Sequence, residues 1–294
     1  LTAAWPGIEI EIRVYSTQGD RDVQRPLPEI GGKGLFTAEI ESALRSGEID
    51  VAVHSLKDLP IDDDTDLIIG AVPERAPAHD VLVSRHGLPL ESLAAAPRIG
   101  TSSLRRAAQV LAVRPDALIV PLRGNLDTRL RKALGEGYDA VVLAAAGMAR
   151  LGLEGSITQL LPLEVMLPAP AQGALAVQCR AGDSATLRLL QPIHHPISWA
   201  AVTAERAFLN ELGGGCSAPV AAYAEPVAHD STRLRLRGLA ASLDGRRVVR
   251  VADGGSLAEA EKLGRRLARE ALDAGAKEIL TNIKHQIPND KRRW

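Results

Sequence analysis

Between Arg98 and Ala144 the chain alternates short apolar runs with amphipathic stretches. A strand is expected at Arg98–Gly100, a helix from Ser103, a strand at Ala117–Val120, a helix from Leu126 to about Leu134, and a strand at Ala140–Ala144. Few topologies satisfy such a succession. Strands joined through a helix pair in parallel with a right-handed crossover, and the helices cover the faces of the sheet. Ligands of open α/β sheets bind outside the carboxyl ends of the strands. In this chain polar or glycine-bearing segments stand there: GTSSLRR, LRGN and AAAGMAR.

The earlier part reads in a similar way. Ile8, Ile10, Ile12 and Val14 alternate with Glu9, Glu11 and Arg13, which predicts a strand. A helix from about Leu35 stops at Gly47, and Ile49–Val53 forms a second strand ending at His54, so a parallel β-α-β unit is expected. Ala174–Cys179 is strand-like and returns to this first sheet. From Ala201 the pattern changes to a helix, three strands (Ala218–Ala224, Arg233–Ala240, Arg247–Val251) with an Asp244-Gly245 turn, and a closing helix from Ser256 whose Glu259 completes a capping box. The expected organisation is a first α/β domain of residues 1–73 and 174–191, a second of 79–167, and a smaller α+β domain of 196–286.

Charge excludes some partners. Lys and Arg number 35 against 36 Asp and Glu, a net charge of −1, so no global field draws the chain to nucleic acid or an anionic membrane. Aromatic residues, at 3%, are too few for base-stacking platforms. No apolar run approaches the roughly 18 residues of a spanning helix. Two cysteines do not make a secreted disulfide scaffold, so reduced thiols in the cytoplasm are expected.

The candidate chemistry lies at strand ends. HSLKDLP brings Ser55, Lys57 and Asp58 to the end of a strand, although alone it reads first as a solvated polar loop. GTSSLRR opens a helix with Thr101, Ser102 and Ser103 beside Arg105 and Arg106. Arginine in a first helical turn opposes the helix dipole unless an anion is present. Arg123 and Arg150 follow the next two strands. Four guanidiniums at one sheet edge suit a substrate carrying several carboxylates or phosphates. No CxxC or HExxH spacing supports a metal site, and GGKG at Gly31–Gly34 lacks the spacing of a phosphate loop. Cys216 follows three glycines, a poor place to pack a thiol and a good one for a sulfur that something large must reach. Cys179, on an expected strand, reads as a small buried hydrophobe.

In order and spacing, GGKGLF, AVHSLKDLP, GTSSLRR, LRGN, DTRL, LPAPAQGA and GGGCSAPV resemble the porphobilinogen deaminase (hydroxymethylbilane synthase) family. The resemblance runs from about Val14 to Leu280. It implies two periplasmic-binding-protein-like α/β domains with a cleft between them, plus the C-terminal α+β domain. It implies a transferase of tetrapyrrole and heme biosynthesis that deaminates four porphobilinogen molecules, joins them head to tail on a dipyrromethane cofactor and releases hydroxymethylbilane by hydrolysis. Cys216 would carry the cofactor through a thioether. Asp58 matches the family's catalytic aspartate, which stabilises the cation left when ammonia departs. Lys57, Ser55, Thr101, Ser102, Ser103, Arg105 and Arg106 match its cofactor-binding residues. Arg123, Arg150, Lys33, Gln172 and Gly173 match its substrate-binding ones. A cytoplasmic monomer without nucleic-acid or membrane partners is expected. Two departures stand out: the chain starts downstream of the family's first strand and of a loop bearing an arginine and a serine, and Val120 stands where some members carry another arginine. Two other readings remain open, a two-lobed anion-binding protein without chemistry and a truncated, inactive synthase.

Overall fold

The structure is a computed structural model and describes residues 1–17, 37–61, 66–135, 137–213 and 218–286. In chain order the elements begin with α1 (Ala38–Ser46), β1 (Val51–Ser55), β2 (Leu67–Ala71), β3 (Asp80–Ser84) and β4 (Arg98–Gly100). Next come α2 (Leu104–Val113), β5 (Leu118–Val120), α3 (Leu126–Ala133), β6 (Ala140–Ala144), α4 (Ala145–Arg150) and β7 (Gln159–Leu160). The remainder comprises β8 (Leu175–Arg180), α5 (Ser184–Leu190), α6 (Pro196–Glu211), β9 (Val220–Val227), β10 (Asp230–Ala241), β11 (Val248–Ser256), α7 (Ala260–Ala271) and α8 (Lys277–Gln286). The chain divides into two compact units, Leu1–Ala76 with Ala174–Ala200, and Pro77–Gly173 with Ala201–Trp294.

Among the described residues of the first unit, β8 is the central strand of a three-stranded sheet, antiparallel to both β1 and β2. The return of the chain at Ala174–Cys179 is therefore as expected, but the parallel β-α-β unit is not formed. Residues 8–14 form no strand, and Ile12 and Val14 are 84% and 94% exposed. Alternation specifies which face of a strand would be buried. It does not supply the neighbouring strand whose N–H and C=O groups a strand needs. Helix α1 ends as its sequence requires, with Gly47 at a left-handed φ of 75° donating to the carbonyls of Ala43 and Leu44.

The second unit contains the expected parallel core. Strand β4 pairs in parallel with β5 and with β6, so Gly100, Val120 and Ala144 end at one edge. Strand β3 joins β6 in the opposite direction, pairing Asp80 with Ala144. All five β3 residues are buried because both faces of the strand are covered: Leu82 packs with Ile99, Val110 and Met166, and Val81 and Val83 pack with Leu122, Leu143 and Met148. A strand buried on both faces loses the alternation that betrays half-buried ones.

The same unit holds the antiparallel sheet β9–β10–β11, with the turn at Gly245 and the expected stripe Leu263, Leu267 and Ala271 of α7 buried. The capping box at Ser256 is not formed. Ser256 Oγ accepts from Ala258 N, a single 3₁₀ turn (Leu257–Glu259) intervenes, and Glu259 pairs with Lys262 instead. Helix α7 crosses α6 closely at Gly264, where an added Cβ would run into Ala204 O and sit 2.8 Å from Ala207 Cβ. In an exposed helix Gly→Ala stabilises by up to about 1 kcal/mol. At this crossing overpacking reverses the sign, so Gly264→Ala should destabilise the second unit by about 1–3 kcal/mol, read as a lowered denaturation midpoint at unchanged slope.

Candidate functional site

The segment after β1 is built to present a carboxylate. A single 3₁₀ turn, Leu56–Asp58, follows Ser55, with Leu56 and Leu59 buried on one side and Asp58 exposed on the other. Leu56 N donates to Ala174 O, which ties the turn to the entry of β8. Beneath it His54 is buried, with Nε2 3.1 Å from Gln178 Oε1, and burial pushes the imidazole below its ordinary range so that it is neutral at pH 7. The apolar anchors and the neutral histidine leave Asp58 and the half-buried Lys57 as the polar groups of the turn.

In the second unit the three hydroxyls of GTSSLRR have separate structural tasks. Ser103 caps α2 by accepting from Arg106 N, Thr101 Oγ1 accepts from Ser103 N, and Ser102 Oγ both donates to Leu122 O and accepts from Leu122 N. Arg105 and Arg106 then enter the first turn of α2 and are 4% and 6% exposed. The anion that their position requires is supplied by the chain itself. Asp80, fully buried, accepts from Arg105 Nη1 at 2.7 Å through Oδ2, and from Arg106 Nη2 at 2.7 Å and Nε at 3.0 Å through Oδ1. Gln172 Nε2 adds a bond to Oδ1 at 2.9 Å and another to Ala78 O at 2.7 Å. Burial alone would raise the Asp80 carboxyl; the two guanidiniums outweigh it and hold the group far below the usual carboxylate range.

The two arginines are engaged differently. Arg106 turns its Nε–Nη2 edge on Asp80 and donates Nη1 to Val142 O. Arg105 uses only Nη1, to Asp80 and to Leu167 O, so its Nε and Nη2 carry no hydrogen bond among the described residues. Two guanidiniums against one carboxylate leave a net charge of +1. An acid group carried by a bound dipyrromethane fits this arrangement, because the unpaired Nε–Nη2 edge is the one that takes a carboxylate bidentately.

Of the other expected residues, Arg150 reaches the segment that carries Gln172. Arg150, exposed at the end of α4, donates Nη2 to Gly173 O at 2.9 Å, next to the buried Gln172. Gly173 has φ 87° and Gly124, after Arg123, has φ 114°, conformations that favour glycine. Asn125 then caps α3, so the chain turns directly from the half-buried Arg123 into the helix. Cys179 is buried on β8, where it packs as a small hydrophobe, and burial pushes its thiol up. Helix α6 leads to Gly213 at φ 62°. Cys216 and Lys33 lie outside the described residues.

Asp80 and Gln109 were not expected from the sequence. Gln109 pairs both its amide groups with the backbone of Leu167, donating to O at 3.0 Å and accepting from N at 2.8 Å, which fixes the carbonyl used by Arg105. A charged residue opening the run DVLVS was the available signal for Asp80.

Fold and site define an α/β protein with a buried, half-neutralised guanidinium pair at the carboxyl ends of its parallel strands. Residues 1–188 match the family profile described as porphobilinogen deaminase, dipyromethane cofactor binding domain, and residues 199–273 match the porphobilinogen deaminase C-terminal domain. A porphobilinogen deaminase of Roseiflexus castenholzii is 50% identical over 280 residues, covering 95% of this chain and 91% of that protein. Those of Syntrophobacter fumaroxidans and Moorella thermoacetica are 45% and 47% identical, covering 96% and 97% of this chain and 91% and 90% of their own lengths. The chain belongs to the porphobilinogen deaminase family.

Asp80 also makes stability depend on pH. Because its folded-state pKa is lowered, its contribution is complete above the unfolded value of about 4 and is lost as pH falls toward the folded value. Stability measured by urea unfolding should decline as pH drops below about 4, and Asp80→Asn should show a shallower decline over the same interval.

Proposed function

We propose that the chain is a working member of its family: it deaminates porphobilinogen, condenses four molecules head to tail and releases hydroxymethylbilane, as a transferase of tetrapyrrole biosynthesis. The observation that carries this reading is the unpaired Nε–Nη2 edge of Arg105, the cationic face left over on a side chain otherwise packed and held by Asp80 and Leu167, and suited to the acid side chains of a pyrrole. When bound, the dipyrromethane supplies a pyrrole carbon nucleophile. The chain's residues would hold it through Cys216, with Arg105, Arg106, Lys57, Ser55 and the Thr101–Ser103 hydroxyls at its acid groups.

Each pyrrole of the substrate carries an acetate and a propionate, and Arg123 and Arg150 are the residues assigned to these on the incoming ring, with Lys33, Gln172 and Gly173 beside them. Asp58 serves as the catalytic residue. Its carboxylate sits on a short turn anchored by Leu56 and Leu59, so little reorganisation accompanies the appearance of positive charge on the ring as ammonia leaves. A protein that only bound anions would need neither this exposed carboxylate nor a thiol placed directly after three glycines. With just two cysteines the chain is further read as cytoplasmic, and with a near-zero net charge as having no nucleic-acid partner.

The test has two parts. Intact-protein mass should exceed the sequence mass by one dipyrromethane, and Cys216→Ser should remove the increment. Asp58→Asn should retain that increment and lose about 10²–10³ in turnover. Unmodified Cys216 in folded protein would refute the enzyme reading, and near-normal turnover of Asp58→Asn would move the catalytic role to another residue.

A further inference from the structure

The cluster around Asp80 has an asymmetry that neither arginine explains alone. Side-on, through Nε and Nη2, is the geometry in which a guanidinium grips a carboxylate with two parallel bonds. Arg106 turns that edge on a single oxygen of Asp80, Oδ1, whereas Arg105 meets Oδ2 through Nη1 and keeps the edge unpaired among the described residues. The second hydrogen of Arg105 Nη1 is taken by Leu167 O at 2.7 Å, so the guanidinium is clamped on one side and cannot rotate to present another edge. Asp80 is itself fixed: Gln172 Nε2 joins both Arg106 nitrogens on Oδ1, and β3 holds its backbone against Ala144 of β6.

We propose that Asp80 is a positioning residue for the reaction, one that orients Arg105 so that its Nε–Nη2 edge is the acid-binding face and reduces the charge of the pair to that of a single cation. The site thereby takes one carboxylate in one orientation. Two guanidiniums without Asp80 would form a stronger but unoriented anion site, open to any small anion. The inference rests on the reading of Arg105 as a cofactor-holding residue.

Charge and orientation separate in experiment because removing Asp80 should move two readouts in opposite directions. In full-length Asp80→Asn the fraction carrying dipyrromethane, read by intact mass, should fall at least tenfold. The apo-protein's affinity for inorganic phosphate, read by calorimetry, should rise at least tenfold over that of wild-type apo-protein. A residue that merely supports the fold would lower loading without strengthening phosphate binding. Loading at the wild-type level, or unchanged phosphate affinity, overturns the proposal. Arg105→Leu distinguishes the underlying reading: if that variant loads normally, Arg105 does not hold the cofactor and the reading fails; if it is apo while Asp80→Asn loads normally, only the role of Asp80 fails. Should Asp80→Asn not fold, Asp80→Glu keeps the charge and displaces the carboxylate by one methylene. A holo fraction reduced at least threefold at unchanged circular dichroism supports the assignment, and full loading overturns it.

Discussion

One buried carboxylate organises the arginine site. Asp80 is fully buried, and among the described residues its side-chain partners are two guanidiniums and a carboxamide. Isolated, any of these charges would be expensive to bury, and removing one member of a buried pair typically costs about 3–5 kcal/mol. Strand direction delivers the carboxylate to the site. Strands β4, β5 and β6 run in parallel and end at one edge, where ligands of α/β sheets bind, and β3 runs the other way, so its first residue arrives at the edge where the others finish. A parallel β3 would have put Asp80 at the opposite end of the sheet.

This explains what the sequence could and could not disclose. The strand-helix alternation from Arg98 to Ala144 was legible because each strand there is short and bounded by caps that name their own role: Ser103 and Asn125 bond the amides their positions require. The cationic character of GTSSLRR was legible too, through the conflict between first-turn arginines and the helix dipole. The resolution of that conflict was not, because the anion comes from a strand more than 20 residues upstream whose direction no local pattern encodes. The pairing of β1 was misjudged for a related reason. Its antiparallel partner β8 lies more than 100 residues later, while the alternation at Ile8–Val14 offered a nearer and incorrect neighbour. Hydrophobic periodicity reports which side chains seek burial, whereas strand pairing is decided by what the rest of the chain brings alongside.

The segment LPAPAQG, residues 167–173, along which the chain crosses from the second unit into β8 of the first, shows how closely backbone and site are joined. Leu167 is held by Gln109, Ala171 N donates to the buried Glu205, Gln172 reaches Asp80, and Gly173 O accepts from Arg150. Ala171 occupies φ 62°, a conformation that costs a non-glycine residue on the order of 1–3 kcal/mol, and the 2.6 Å bond from its N–H to Glu205 helps to hold it there. Irregular backbone in this segment is therefore specified residue by residue, and the same residues that shape it complete the arginine cluster.

Helix α2 is restrained from its far side as well. The turn between β10 and β11 lies against it so closely that a Cβ on Gly245 would come within 2.5 Å of Ala108 O and Ala112 N. Ala108 is two residues from Arg106 and one from Gln109, so the antiparallel sheet that follows Cys216 in sequence presses on the helix that carries the guanidiniums. A glycine is needed there twice over, for the close approach and for its φ of 70°. The orientation of Arg105 thus depends on three elements remote from one another in sequence: β3 through Asp80, the crossing segment through Leu167, and the β10–β11 turn through the backbone of α2. Side-chain placement at this site is a tertiary property, and the short motif around the arginines supplies the chemistry without fixing its geometry.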